Sequence, residues 1–368
     1  MRRLAFLVFA LLCFVTEGFA FVVSSEEAFY GLSSSKNDRK SAADTLRILG
    51  VGNSWTRDSM RWLSAIARSA GRPVIVGHAY LGGSTLRDQF FGIDDPSYTY
   101  NHGGRKQVVH STYQYWKYVC ADNPVKTPNE GYKNGLGGIG VTLESVVRDE
   151  PWDVIVFQPE GTNGSGPLFD AYLGKAGKDF SLRKLKDRML RMMDKSVARK
   201  VRVGLMVPFG YPRGNADYRA SLPVNYGVPK PSDQDGWDAL YALQHETIQH
   251  NMPLLAKSLG ASIYVNVGQA VWAARQHPEL SKSGFRLQRS RANTHLSEGL
   301  AMYVASLAYA FAILDLKPEG ITFYPSRTAD PLLTGDRGET EEIKLQNTPE
   351  LAREAIRVVY DALKNRNN

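Results

Sequence analysis

The chain has 368 residues, of which 43% are hydrophobic and 22% are charged, and it carries a formal net charge of +8. This composition is ordinary for a globular protein and excludes global disorder. A basic balance fits nucleic-acid binding, but no nucleic-acid motif accompanies it, so we expect no nucleic-acid partner. A looser attraction to an acidic polymer or surface stays open.

The first twenty residues have the pattern of a secretory signal. Two arginines precede the apolar run Leu4–Val15, and Gly18-Phe19-Ala20 offers the small residues that signal peptidase needs. An uncleaved anchor is the alternative, but the run is shorter than the roughly 20 residues that span a bilayer. We therefore predict a signal peptide over 1–20, a polar linker over 21–44, and a secreted or periplasmic protein without stable membrane insertion.

Five short runs rich in Val, Ile and Leu follow the linker. Most are apolar at successive positions, which is typical of strands that are covered on both faces of a parallel sheet. The runs are 46–51, 74–76, 154–157, 201–207 and 262–267.

Segments with helical spacing lie between these runs and after them. They cover 57–70, 141–149, 184–198, 236–259, 296–314 and 348–364. The alternation predicts one α/β domain over 45–368, built as a three-layer α/β/α sandwich with a five-stranded, mostly parallel sheet of flavodoxin-like layout.

Two long connections interrupt this domain, at about 87–138 and 209–235. Loops of such length are usually functional or disordered, and the many aromatic residues of the first argue against disorder. These aromatic residues fit either a satellite packing cluster or a wall for a sugar or another flat substrate.

The first strand ends in Gly52-Asn53-Ser54, directly before a helical segment. In open α/β sheets, ligands bind beyond the carboxyl ends of the strands, so Ser54 stands where chemistry is expected. A serine at a helix start is often only an N-cap. It acts as a nucleophile where a base reaches it and nearby donors hold the developing negative charge.

Three further segments stand at comparable places. His295 lies in a short polar loop before a strongly apolar helix, and a lone histidine of this kind is either structural or a base. Gly82-Gly83 follows the second strand and fits an ordinary turn as well as a ligand-binding one. Gln158 and Asn163 follow the third strand, and either amide fits an oxyanion donor or a plain hydrophilic loop.

Together these segments resemble the blocks of the SGNH hydrolases, also called the GDSL-like family. Gly52-Asn53-Ser54 is similar to the first block, although Asp is more usual in the middle, and Gly82-Gly83 is similar to the second. Residues 158–163 occupy the third block without a plain Gly-x-Asn-Asp, and His295-Leu296-Ser297 resembles the last. The likeness covers about residues 46–312 and is strongest to a poorly characterised bacterial subgroup with a Gly-Asn-Ser first block.

The resemblance implies a carboxylic-ester hydrolase that works through an acyl-enzyme on Ser54, with His295 as the base. It implies an oxyanion hole made by the Ser54 and Gly83 N–H groups and the Gln158 amide, with Asn163 in reserve. Asn53 and Asn293 are further candidate members of the site. No ligand cluster for a metal is visible, and we predict no cofactor.

The chain departs from the family pattern at one position. The family usually has an Asp three residues before the histidine, where this chain has Ala292. An orienting acid holds the tautomer of the base, and its loss costs orders of magnitude in rate. Either another carboxylate replaces it, with Asp233, Asp235 and Glu298 as candidates, or a backbone carbonyl orients His295, or the site is weak or inactive.

We therefore predict a secreted serine esterase that removes ester groups, O-acetyl groups above all, from a small ester or an acetylated glycan. The main alternative is an inactive exported glycan-binding protein on the same scaffold. A third reading, a nucleotide- or flavin-binding protein, is disfavoured because the first loop lacks Gly-x-Gly-x-x-Gly.

Overall fold

The computed structural model describes residues 45–159, 201–210, 222–282 and 295–325, with short gaps, together with Leu287 and residues 348–364. The predicted signal peptide, the linker and the predicted helix over 184–198 lie outside the described residues. The strands are β1 (Leu46–Gly52), β2 (Val74–Tyr80), β3 (Thr99–His102), β4 (Arg105–Val108), β5 (Gln114–Val119), β6 (Val125–Lys126), β7 (Tyr132–Lys133), β8 (Ile139–Gly140), β9 (Val154–Phe157), β10 (Arg202–Met206) and β11 (Ile263–Val265). The helices are α1 (Ser54–Met60), α2 (Leu63–Ser69), α3 (Leu143–Asp149), α4 (Gln234–Leu259), α5 (Val267–Gln276), α6 (Leu300–Leu314) and α7 (Pro349–Lys364).

All five predicted strands are present and lie parallel in one sheet, in the order β2-β1-β9-β10-β11. This is the doubly wound order of flavodoxin-like sheets. The prediction of five strands is nevertheless wrong, because antiparallel β5 and the two-residue β6 extend the sheet beyond β2. Both strands come from the long connection after β2, where alternating aromatic residues give a half-buried antiparallel strand.

Two apolar cores lie on opposite faces of this sheet, because successive strand residues point to opposite sides. Ile48 and Val154 belong to the core that packs against α1, α2, α5, α6 and α7. Leu49 and Ile155 belong to the core that packs against α3 and the second half of α4. The sheet is thus covered by helices on both faces, and α6 is the most buried of them.

One helix prediction and one strand prediction differ from the structure. The segment 57–70 is two helices, and at their junction the Ser306 hydroxyl of α6 donates to Ser59 O at 3.0 Å and accepts from Trp62 N at 3.0 Å. Tertiary hydrogen bonds therefore divide a segment whose periodicity is continuous. The run predicted as a strand to residue 267 ends at Val265, and α5 follows at once with Asn266 as its N-cap.

The aromatic connection after β2 contributes largely to packing. Tyr100, Tyr113 and Tyr115 are buried in the core on the α3 face. Trp116 is half-buried and packs against the opposite core. Within the described part of the chain, no helix is long and apolar enough to cross a membrane.

One buried histidine, His78 of β2, has an unusual electrostatic environment. Its ring stacks on Trp116 with centroids 5.9 Å apart and meets the ring of Tyr80 at 6.0 Å. Burial, and next the Arg57 guanidinium, lower the pKa of His78 from 6.5 to about 3, against smaller opposing effects of Asp58 and the Asn53 backbone. His78 is therefore neutral in the folded protein near physiological pH.

We predict that His78 makes the protein less stable in mild acid. Between pH 6.5 and about 3 the unfolded chain binds a proton that the folded chain does not, so the free energy of unfolding falls as the pH falls. His78→Leu should remove about 2 kcal/mol of the loss between pH 7 and pH 5. Urea unfolding at both pH values measures it, and an unchanged pH dependence in the variant would contradict the assignment.

Candidate functional site

The candidate residues lie at the carboxyl edge of the sheet, next to the point where its winding reverses. The connection from β1 to β2 carries α1 and α2 on one face, whereas the next connection, to β9, carries α3 on the other. Such a reversal opens a crevice between the two strands that flank it, here β1 and β9. Ser54 follows β1 and Gln158 follows β9, so both stand at this crevice.

The turn that carries Ser54 is held by its neighbours on both sides. Asn53 is the N-cap of α1, and its Oδ1 accepts from Trp55 N at 3.0 Å. Ser54 is the first residue of the helix and is half-exposed. Gly52 is required here because a Cβ atom would collide with the side chains of Thr56 and Gln158.

Gln158 closes this turn from the side of β9. Its Oε1 accepts from Asn53 N at 3.1 Å, from Thr56 N at 3.2 Å and from Thr56 Oγ1 at 2.7 Å. These donors fix which amide atom is oxygen, because an NH₂ group cannot accept. Gln158 thereby positions the turn that carries Ser54. Its Nε2 is buried and donates to no described residue.

The Gly82-Gly83 turn is held by α1 and by the aromatic connection. Ser84 N donates to Leu81 O at 3.1 Å, and Asn53 Nδ2 donates to Ser84 O at 3.1 Å. Tyr100 of β3 donates its hydroxyl to Gly82 O at 2.8 Å. The aromatic connection after β2 therefore stabilises the Gly82-Gly83 turn, a role that its composition alone does not reveal.

Two backbone N–H groups are available at this edge. Gly83 is exposed and has φ of +62°, a conformation that favours glycine. Neither Ser54 N nor Gly83 N donates to a described residue. They are the two backbone groups that the sequence analysis assigned to the oxyanion hole.

The carboxylate that contacts His295 is Asp58, in the same helix as Ser54, and sequence reasoning did not name it. Asp58 Oδ2 lies 3.0 Å from His295 Nδ1 and accepts from Leu296 N at 3.2 Å. The side chain of Asp58 is fully buried, whereas that of His295 is 26% exposed. Arg57 Nε lies 3.9 Å from the other carboxylate oxygen.

This contact assigns the ring atoms of His295. A carboxylate only accepts hydrogen bonds, so Nδ1 carries the proton, and in the neutral ring Nε2 is left with a lone pair. Ser54 precedes Asp58 by four residues, so the two side chains share one face of α1 at about 5–6 Å. Hydrogen bonds between a nucleophile and its base often tighten only when substrate binds.

The other candidates for the acid have different places. Asp233 is the N-cap of α4, where its Oδ1 accepts from Gly236 N at 2.8 Å, and Asp235 is exposed in the first turn of that helix. Neither contacts His295 in a described interaction. Glu298, Ala292, Asn293 and Asn163 lie outside the described residues.

The loop of His295 is anchored by its neighbours in sequence. Leu296 is fully buried in the core beside α1, and its N–H shares the Asp58 oxygen that binds the imidazole. Ser297 O accepts from Met302 N at 3.0 Å in the first turn of α6. His295 is thus held against α1 by adjacent residues that are themselves fixed in the core.

The described residues define an α/β protein with a serine, a histidine and a carboxylate at the carboxyl edge of its sheet. Among them, no group of three His, Cys, Asp or Glu side chains could hold a metal ion.

No protein-family model matches the chain, and no curated protein matches it. A solved structure, a DUF4886 family protein from Bacteroides uniformis ATCC 8492, is similar at TM-score 0.60 and 17% identity, covering 88% of this chain and 97% of that chain. This likeness concerns the fold alone.

We predict that Gln158 stabilises the turn that carries Ser54. Gln158→Leu leaves Asn53 N and the Thr56 hydroxyl without an acceptor, whereas Thr56 N keeps Asn53 O at 3.1 Å. Each unsatisfied buried group costs about 1–3 kcal/mol. Thr56→Val is the matched control, because it removes only the hydroxyl donor. The expected loss in the free energy of unfolding is at least about 2 kcal/mol for Gln158→Leu and about 1 kcal/mol for Thr56→Val. Denaturant unfolding measures both, and equal losses would count against the triple contact.

Proposed function

We propose that this protein is a serine esterase of the SGNH type, with Ser54 as nucleophile, His295 as general base and Asp58 as the acid that orients the base. The contact between His295 Nδ1 and Asp58 Oδ2 carries the proposal. A histidine whose Nδ1 proton is bound by a buried carboxylate has its lone pair on Nε2, which is the tautomer that serine hydrolases use for proton transfer.

The chemistry proceeds through an acyl-enzyme. His295 Nε2 takes the proton of Ser54 as Oγ attacks the ester carbonyl, and the tetrahedral oxyanion forms beside the N–H groups of Ser54 and Gly83. The imidazolium then protonates the leaving alkoxide, and the C–O bond of the ester breaks. Water attacks the acyl-enzyme in the second half, with His295 again taking and returning a proton.

The oxyanion hole of this proposal has two backbone donors and one amide. Gln158 Nε2 would supply the third hydrogen bond, and its position is set because Oε1 is held by three donors. Preorganised donors of this kind cost no reorganisation during the reaction, and each is worth about 2.7–4 kcal/mol in the barrier.

The order of the candidate segments supports membership of the SGNH family. The nucleophile follows the first parallel strand, the glycine turn follows the second, the glutamine follows the third, and the histidine precedes the last large buried helix. The acid departs from the family pattern, because it comes from the nucleophile's own helix and not from the loop of the histidine.

The proposed substrate is an O-acyl ester, most naturally an O-acetyl group on a carbohydrate. The predicted export signal supports a substrate outside the cytoplasm, and Trp116 and Tyr80 are half-exposed near the nucleophile turn. An inactive glycan-binding protein was the alternative because the usual acid is missing at Ala292. The contact of Asp58 with His295 removes that reason for expecting inactivity.

We predict that the purified mature protein hydrolyses p-nitrophenyl acetate and that Ser54→Ala and His295→Ala each lose most of this activity. Removal of the nucleophile or the base of such a unit costs about 10⁶-fold in kcat. Tyr324→Phe, at an exposed aromatic residue, is the control and should keep full activity. Unchanged turnover in folded Ser54→Ala would contradict the mechanism. Wild-type inactivity on both this ester and acetylated sugars would favour the binding protein.

A further inference from the structure

A β-turn after β2 carries the Gly83 N–H group that the proposed oxyanion hole uses. Ser84 N donates to Leu81 O at 3.1 Å, which closes a four-residue turn around Gly82 and Gly83. Gly83 has φ of +62°, whereas φ of Gly82 is not positive. A positive φ at the third residue alone is the pattern of a type II turn. The central peptide of this turn joins the carbonyl of Gly82 to the N–H of Gly83.

The direction of this N–H depends on which way the central peptide faces. Type I and type II turns differ by a rotation of that peptide through roughly 160°, and glycine tolerates the backbone angles of both. The peptide is trans, so it is planar and its carbonyl and N–H point to opposite sides. A group that holds the Gly82 oxygen on one side therefore holds the Gly83 N–H on the other.

Tyr100 of β3 holds that oxygen. Its hydroxyl donates to Gly82 O at 2.8 Å, whereas Gln107 Oε1 lies farther from the hydroxyl, at 3.5 Å. Tyr100 is buried in the core on the α3 face, and Gly83 is exposed. The carbonyl of the central peptide thus faces the core, and its N–H faces away from the core.

The Tyr100 hydroxyl is protonated and therefore able to donate. Burial, and next the neighbouring Tyr80 and Asp88, raise the pKa of Tyr100 above its ordinary value of 10.0. The hydrogen bond also affects the strength of the Gly83 N–H, because a carbonyl that accepts a hydrogen bond polarises its own peptide. The contact thus sets both the direction and the donor strength of this N–H.

Other contacts anchor the two ends of the turn. Leu81 N donates to Gly52 O at 2.8 Å, and Ser84 O accepts from Asn53 Nδ2 at 3.1 Å. These contacts fix where the turn lies relative to the start of α1. Among the contacts of the described residues, the Tyr100 hydrogen bond is the one that acts on the central peptide itself.

We infer that Tyr100 is a positioning residue: it sets the orientation of the Gly82-Gly83 peptide and so aims the Gly83 N–H at the proposed oxyanion hole. The inference rests on the proposed esterase function, because the oxyanion forms only during ester cleavage. It gives a residue of the long aromatic connection a defined task in the reaction.

The first test is kinetic and compares two buried tyrosines of the same connection. Tyr100→Phe removes the hydroxyl and keeps the ring, and kcat for p-nitrophenyl acetate should fall about 10-fold. KM should stay at the wild-type value, because an oxyanion donor acts in the transition state and not on the bound ester. Tyr115→Phe is the matched control and should keep the wild-type kcat, since its hydroxyl donates to Asp149 at the end of α3. An unchanged kcat in Tyr100→Phe, or an equal loss in both variants, would overturn the inference.

The second test uses NMR and needs no turnover. In protein labelled with glycine that carries ¹³C in its carbonyl and ¹⁵N in its amide, a correlation across the peptide bond selects Gly-Gly pairs. The Gly82-Gly83 signal is the one that Gly82→Ala removes. It should move in Tyr100→Phe and stay in place in Tyr115→Phe, because the first variant alone releases the Gly82 carbonyl. A signal that stays in place in Tyr100→Phe would contradict the inference.

The failure of this inference is distinguishable from failure of the esterase proposal. Ser54-dependent turnover that Tyr100→Phe leaves unchanged removes the positioning role and keeps the esterase. No turnover by the wild type, together with an NMR signal that moves in Tyr100→Phe, instead removes the esterase and keeps the peptide orientation that Tyr100 sets.

Discussion

A buried carboxylate ties the beginning of this domain to its end. Asp58 is fully buried in α1 and meets the imidazole of His295 and the backbone N–H of Leu296, more than 230 residues later in the chain. A buried charge is costly unless donors surround it, so this interaction constrains both α1 and the loop that precedes α6. In the proposed mechanism, the same interaction orients His295 as the base that serves Ser54.

Neighbouring contacts fix the position of α1, the helix that carries Ser54 and Asp58. Gln158 joins the end of β9 to the start of α1, Gly52 allows the close approach, and Ser306 of α6 is bonded to the junction of α1 and α2. Ser54 and Asp58, the proposed nucleophile and acid, lie in one short helix, so their spacing is set by helical geometry. The loop of His295 is positioned by tertiary contacts as well, with Leu296 buried in the core as its anchor.

The sequence was sufficient to predict the parallel strands, because buried strands are continuous apolar runs. It also predicted the sheet edge at which the candidate site lies, because ligands bind at the carboxyl ends of such strands. It was insufficient for Asp58, which reads as one polar position in a continuous helical segment. Its spacing of four from Ser54, between the buried residues Trp55 and Met60, was the available signal. The break between α1 and α2 after Met60, and the strands β5 and β6, depend on tertiary contacts. The periodicity of the sequence does not predict such contacts.

The most direct test of this account is the rate at which a fluorophosphonate labels Ser54 in the wild type, Asp58→Asn and Asp235→Asn, followed by mass spectrometry of the peptide that contains Ser54. Asparagine at 58 can donate to Nδ1 and favour the wrong tautomer, so labelling should slow by about 10⁴-fold, while the exposed Asp235→Asn variant keeps the wild-type rate. Circular dichroism confirms that each variant is folded. Equal labelling of folded Asp58→Asn, or a label on another residue, would contradict the assignment of Asp58, His295 and Ser54 to one catalytic unit.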